Sequence, residues 1–178
     1  MKRYKPLFES NSNLILYHGS SKKFNVFKQN DDYPIFLTDD PNFAISYAAA
    51  KGDSEESDEY GTVYKVKVSA DIFNPLVPKD LSKIIDILPE QLVTRGDNWG
   101  IFTNDFSKQD WIDMAKKKDN NSWKIFENDV VIDAIKKAGF SGYVATERGS
   151  KTYAIFDVKD LKILGEVIET LHGWKDKK

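Results

Sequence analysis

Leu14-Ile15-Leu16-Tyr17-His18-Gly19-Ser20-Ser21 is the stretch on which the fold turns. Leu14 to Tyr17 have strand character, and the chain then drops into a polar, lysine-bearing loop. His18 is the only histidine outside the C-terminal tail. Gly19 lets the backbone turn sharply or approach a ligand closely. An imidazole, bare backbone and a hydroxyl at a strand end can grip a small polar ligand. A His-Gly step also serves as a plain turn, so its meaning depends on what the rest of the chain brings to it.

The chain has 178 residues, enough for one sizeable core. Forty per cent of them are hydrophobic and 13% aromatic, so a folded domain is expected over 1–178, with its core at about 14–165. The formal net charge is -2, which argues against non-specific binding to nucleic acid but not against a nucleotide site. There is no cysteine, hence no disulfide, thiolate zinc site or cysteine nucleophile. Two histidines far apart make a histidine-rich metal site an unlikely design, and no metal is expected. No apolar run is long enough to span a bilayer, and basic Met1 to Pro6 lacks the apolar core of a signal peptide. A cytoplasmic monomer without membrane contacts is the expectation.

Outward from the opening strand, Phe24, Val26 and Phe27 predict a packed loop, and Pro34 to Thr38 a second strand. Asp40 suits an N-cap and Pro41 a first helical position, opening a helix on which Phe43 and Tyr47 share a face. The acids of 52–59 read as a solvated loop. Thr62 to Ser69 alternates, with Tyr64, Val66 and Val68 on one face and Lys65 and Lys67 on the other. Helices are expected at Leu81–Leu88, Lys108–Lys118 and, most strongly, Ser122–Ala138, and a loop at Gly96–Gly100. Gly142–Glu147 and Thr152–Phe156 read as a hairpin around Arg148 to Lys151. Leu161–Leu164 reads as a last strand, Glu166–Leu171 as a terminal helix, and the tail with His172 and Trp174 as frayed. The fold class is α+β.

Three pieces can combine: Tyr17-His18-Gly19-Ser20, Phe36-Leu37-Thr38-Asp39 with Tyr47 on the helix behind, and the hairpin from Glu147 to Thr152. A flat polar ring can stack on an aromatic side chain, while its amide meets bare backbone and hydroxyls meet imidazole and Ser20. In this order the motifs resemble the ADP-ribosyltransferases of the histidine-tyrosine-glutamate class, the branch of diphtheria toxin and the poly-ADP-ribose polymerases. The nearer likeness is to small transferase domains of phage and bacterial origin. It covers Tyr17 to Ser20, Phe36 to Ala48 and Lys137 to Lys162.

The resemblance implies a split, mainly antiparallel β core that holds NAD+ as co-substrate. It implies that His18 bonds the nicotinamide-side ribose, Gly19 the carboxamide, and Tyr47 stacks on the nicotinamide ring. Ser20 lies beside that ribose, and Tyr17, Phe36 and Thr38 complete the pocket. A serine that some relatives carry three residues before the tyrosine is Ala44 here. The implied reaction releases nicotinamide and passes ADP-ribose to a macromolecular acceptor, a protein rather than nucleic acid. In an effector or phage product the host cytoplasm would be its place of action.

The departure is the third signature residue. The family's glutamate precedes the tyrosine of the last motif; here Thr152 precedes Tyr153. A threonine bonds a hydroxyl but cannot balance a cation. Either activity is lost, leaving an NAD+-binding module, or the signature has a threonine variant, or another carboxylate substitutes. A loop of 148–151 would set Glu147 directly opposite Thr152, with Cβ atoms roughly 5 Å apart. Glu147, Thr152 and His18 are the catalytic candidates, with Glu127 a more remote one. Water as acceptor would make the protein an NAD+ glycohydrolase.

Overall fold

The computed structural model describes residues 13–29, 33–49, 61–92, 106–117, 122–126, 128–170 and 173–176. In chain order come β1 (Leu14–Ser20), β2 (Ile35–Thr38), α1 (Pro41–Ala49), β3 (Thr62–Val68), β4 (Ile72–Phe73), α2 (Pro78–Ile85), β5 (Gln91–Leu92), β6 (Phe106–Ser107) and α3 (Lys108–Lys116). After a 3-10 turn (Ser122–Phe126) follow α4 (Asp129–Lys137), β7 (Gly142–Glu147), β8 (Ser150–Ile155), a second 3-10 turn (Val158–Asp160), β9 (Leu161–Thr170) and β10 (Gly173–Asp176). The class is α+β, as the sequence predicts. Glu127, the acids of 52–59 and the loop at 96–100 lie outside the described residues.

An eight-stranded sheet runs β10-β9-β3-β1-β2-β8-β7-β4, and β5 and β6 form a separate pair. Its ladders are antiparallel except the short parallel pair β4–β7. The β1–β2 junction is held by a single registered pair, Tyr17 opposite Thr38, whereas β1 pairs β3 from Leu14 to Ser20. The sheet therefore opens beside His18, Gly19 and Ser20.

Strand alternation sends side chains to two faces. Leu16, Leu37, Tyr64, Val66, Val68 and Ile155 form one cluster, covered by Phe24 and Phe27 from the loop after β1. On the opposite face Tyr143, Ala145 and Ala154 pack beneath α2, α3 and α4 around Trp111, Phe126 and Ile135. Helix α1 lies on that same face, with Ala44 packed on Val63 and Val167. Its start follows the predicted chemistry: Asp40 Oδ1 accepts from Asn42 N at 2.9 Å.

Gly19 is where α1 meets the sheet. A Cβ there would stand 2.7 Å from the Ala44 carbonyl carbon, nearer still to its oxygen, and 3.1 Å from Ala48 N. A second glycine, Gly61, lies against Ala48 in the same way. Two residues without side chains thus let the helix backbone sit directly on β1 and β3.

Two readings of the sequence need correction. The expected helix from Ser122 to Ala138 is interrupted. Ile125's carbonyl accepts the Trp111 indole N–H at 2.8 Å, so it is drawn out of a continuous helical ladder. Asn128 then caps a new helix, accepting from Val130 N at 2.9 Å. The break lets the Phe126 ring stack on Tyr143, centroids 4.3 Å apart. Second, Glu166–Leu171 is not a terminal helix. β9 continues to Thr170 because β3 presents a full edge to it, from Val68 opposite Leu161 to Val63 opposite Val167. Residues Gly173 to Asp176 of the tail pair back onto it as β10, closed by a Lys65–Asp176 ion pair at 2.8 Å.

Candidate functional site

The hairpin β7–β8 turns in two residues, not four. Arg148 and Gly149 both have positive φ, 49° and 88°, the pattern of a type I′ turn. Glu147 therefore opposes Ser150, and Thr152 opposes Ala145. This corrects the expectation that Glu147 and Thr152 face each other directly. The slip is an even number of residues, so both still point to one face, as diagonal neighbours about 7–8 Å apart. The signal was present: an X-Gly pair between two alternating runs favours a two-residue turn.

Helix α1 brings Tyr47 to that face. Its hydroxyl donates to Glu147 Oε2. Thr152 Oγ1 lies beneath them, in a residue only 5% exposed, and has no hydrogen-bond partner of good geometry. It is nevertheless close enough to the Tyr47 hydroxyl to favour the phenolate, as Arg148 does through its charge. Burial and then Glu147 outweigh both and hold the hydroxyl far above its ordinary value of 10.0, so Tyr47 remains a donor. The ring itself is 38% exposed, with Phe43 set edgewise at 5.3 Å.

Tyr17, Thr38, Thr152 and Ala145 form one row across β1, β2, β8 and β7. Thr38 is 1% exposed and its Oγ1 accepts from Asp40 N at 3.2 Å, so this hydroxyl holds the entry to α1. Tyr153 points to the other face, where burial and then the Asp39 charge push its hydroxyl up to about 12. Ser20 is engaged locally, donating to Lys22 O at 2.8 Å.

His18 stands across the sheet from Tyr47. Its ring packs edgewise on Phe24 and Phe27, centroids 5.8 and 5.2 Å away. Its Nδ1 lies 2.8 Å from the Phe36 carbonyl oxygen and bridges the open ladder. A carbonyl only accepts, so Nδ1 carries the proton. Burial lowers the pKa below 6.5, opposed by the Phe36 bond, so at neutral pH Nε2 keeps a lone pair. The Phe36 ring is 43% exposed on the Tyr47 face.

The fold thus gathers Tyr47, Glu147 and Thr152, and sets His18, Gly19 and Phe36 at the opening beside them. On the His18 face a cavity of about 390 Å³ separates Lys23, Phe24 and Asn25 from the bulge of β9 at Gly165 and Glu166. Among the described residues no cluster of His, Asp or Glu could hold a metal ion, and no helix is long and apolar enough to cross a membrane.

A family model described as "ADP-Ribosyltransferase in polyvalent proteins" matches residues 10–167. No curated protein matches the chain. A solved structure titled "Crystal structure of an anti-CRISPR protein" is similar with a TM-score of 0.48 and 9% identity, covering 87% of this chain and 98% of that chain.

Proposed function

The chain belongs to the ADP-ribosyltransferase family of polyvalent proteins, and from that premise we propose that it cleaves NAD+, releases nicotinamide and transfers ADP-ribose to a macromolecule. The observation that carries the reading is the joining of Tyr47, Glu147 and Thr152, residues 100 apart in sequence at their widest hydrogen bond, on one face of the sheet. The histidine-tyrosine-glutamate arrangement is then met with its carboxylate moved to the neighbouring strand.

The residues fit the co-substrate. The exposed Tyr47 ring offers a stacking face, and its bond to Glu147 lies at the ring's rim, leaving that face open. The unpartnered Thr152 hydroxyl suits a ribose hydroxyl. His18 Nε2 is an acceptor for another. Cleavage of the glycosidic bond builds positive charge on the ribose, as in glycoside hydrolysis. Glu147 supplies the opposing charge in a partly desolvated setting. The cavity beside Phe24 gives room for the rest of the dinucleotide.

The test is incubation with adenylate-labelled NAD+ and a cell lysate. Label on a macromolecule is the expected result. Free ADP-ribose alone means water is the acceptor, and bound NAD+ without turnover means an inactive module, the reading that Thr152 would favour. Glu147→Gln should lower turnover by about 10²-fold, as loss of a transition-state charge partner does, and Thr152→Ala by much less. Equal activity of Glu147→Gln and parent removes Glu147 from the chemistry.

A further inference from the structure

We propose that the acceptor is an already ionised oxygen, a carboxylate or a phosphate, and that Arg148 anchors it at the mouth of the cleft. The inference rests on the reading of the site given under Proposed function.

The chain holds 26 lysines and arginines, of which only Arg3, Arg95 and Arg148 are arginines. Among the described residues Arg148 is the sole one. It occupies the first place of the β7–β8 turn, at φ 49°. Asparagine or glycine fits that conformation more easily, because a larger side chain crowds its own backbone there. A strained non-glycine residue held beside a site points to a use for its side chain. Arg148 is joined to Glu147, is exposed, and its charge reaches the Tyr47 hydroxyl. A group approaching Glu147 from solvent therefore meets the guanidinium. Its planar fork matches a carboxylate or phosphate in two parallel hydrogen bonds, which a lysine cannot do.

Proton bookkeeping supports the same class. A hydroxyl, amine or guanidine acceptor must lose a proton during transfer and needs a base. Glu147 already accepts from Tyr47, and Thr152 is no base. An ionised oxygen needs none. Its lone pair forms the new bond to the ribose carbon, the bond to nicotinamide breaks, and that electron pair neutralises the nicotinamide nitrogen. No proton is taken up or released.

Because there are three arginines, protein labelled with ¹⁵N-arginine gives three Nε signals, and Arg148→Asn identifies the one that matters. Asparagine suits the turn, so the hairpin should survive the change. Acetylated tetraglutamate and inorganic phosphate are titrated separately, with acetylated tetralysine as control. The Arg148 signal should shift saturably with at least one anion, which distinguishes the two sources, and should ignore tetralysine. Transfer should fall about tenfold in Arg148→Asn, as for loss of a charged hydrogen-bond pair. NAD+ affinity should stay within about twofold. An Arg148 signal unmoved by either anion overturns the proposal. So does a parallel loss of NAD+ affinity, which would make Arg148 an NAD+ contact, or label mapped to an acceptor nitrogen. A parent that fails to bind NAD+ overturns the proposed function instead, and the arginine signal still decides the anchor.

Discussion

Gly19→Ala should unseat helix α1 and, through it, the site. The added methyl would lie 2.7 Å from the Ala44 carbonyl carbon, where real contacts do not fall below 3.0 Å, and closer still to the carbonyl oxygen. Neither side can yield by rotating a side chain, because both are backbone. β1 is tied to β3 along its whole length, so α1 is the part that moves, by about 1 Å or more. Overpacking of this kind costs about 1–3 kcal/mol. For a chain of this size that lowers Tm by about 2–4 °C for each kcal/mol. Tyr47 lies three residues past Ala44, and a shift of that size breaks its bond to Glu147. Gly61→Ala is the companion, since its methyl would stand 2.5 Å from Ala48 Cβ and 2.7 Å from Ser20 O, without altering the His-Gly step. Urea unfolding followed by fluorescence, and NAD+ affinity, are measured on both. Both variants should be destabilised and both should bind NAD+ more weakly. If Gly19→Ala loses NAD+ affinity at unchanged stability while Gly61→Ala keeps it, the glycine serves the ligand alone and the seating argument fails.

Tyr47→Phe keeps the ring but deletes a hydrogen bond to a carboxylate, worth about 1.5–3 kcal/mol where well buried and less at this half-exposed rim. NAD+ affinity should change little and turnover should drop about tenfold, whereas Tyr47→Ala should weaken binding itself; a Phe variant as active as the parent would show that the hydroxyl does nothing. His18 gives a pH signature. Its folded pKa lies below 6.5 because burial disfavours the imidazolium, so below that pH the unfolded chain binds more protons. Stability should be unaffected by His18 above pH 6.5 and fall as pH drops through the window beneath it, levelling off once the folded pKa is passed. Comparison of parent and His18→Gln from pH 7 to about 5.5, above the carboxylate range, isolates it; parallel curves would mean that the ring is not desolvated.

Local chemistry made much of the fold legible. The alternation of Thr62 to Ser69 predicts β3 with its buried Tyr64, Val66 and Val68, and Asp40-Pro41 predicts the start of α1. Where local pattern and long-range pairing compete, the sequence is ambiguous. Glu166 to Thr170 has helical spacing, yet the edge of β3 recruits it as strand. Ser122 to Ala138 has one helical period, yet an indole 14 residues away takes a carbonyl from it.

The site divides in the same way. His18-Gly19-Ser20, Tyr47 and the substitution at Thr152 could be picked out as words in order, because motif spacing along a strand or helix is a local property. Which carboxylate meets Tyr47, on which face, could not. That depended on a two-residue turn rather than a four-residue one, and on how far α1 sinks onto Gly19. Both are settled by contacts between segments about 100 residues apart, whose register only the assembled sheet determines.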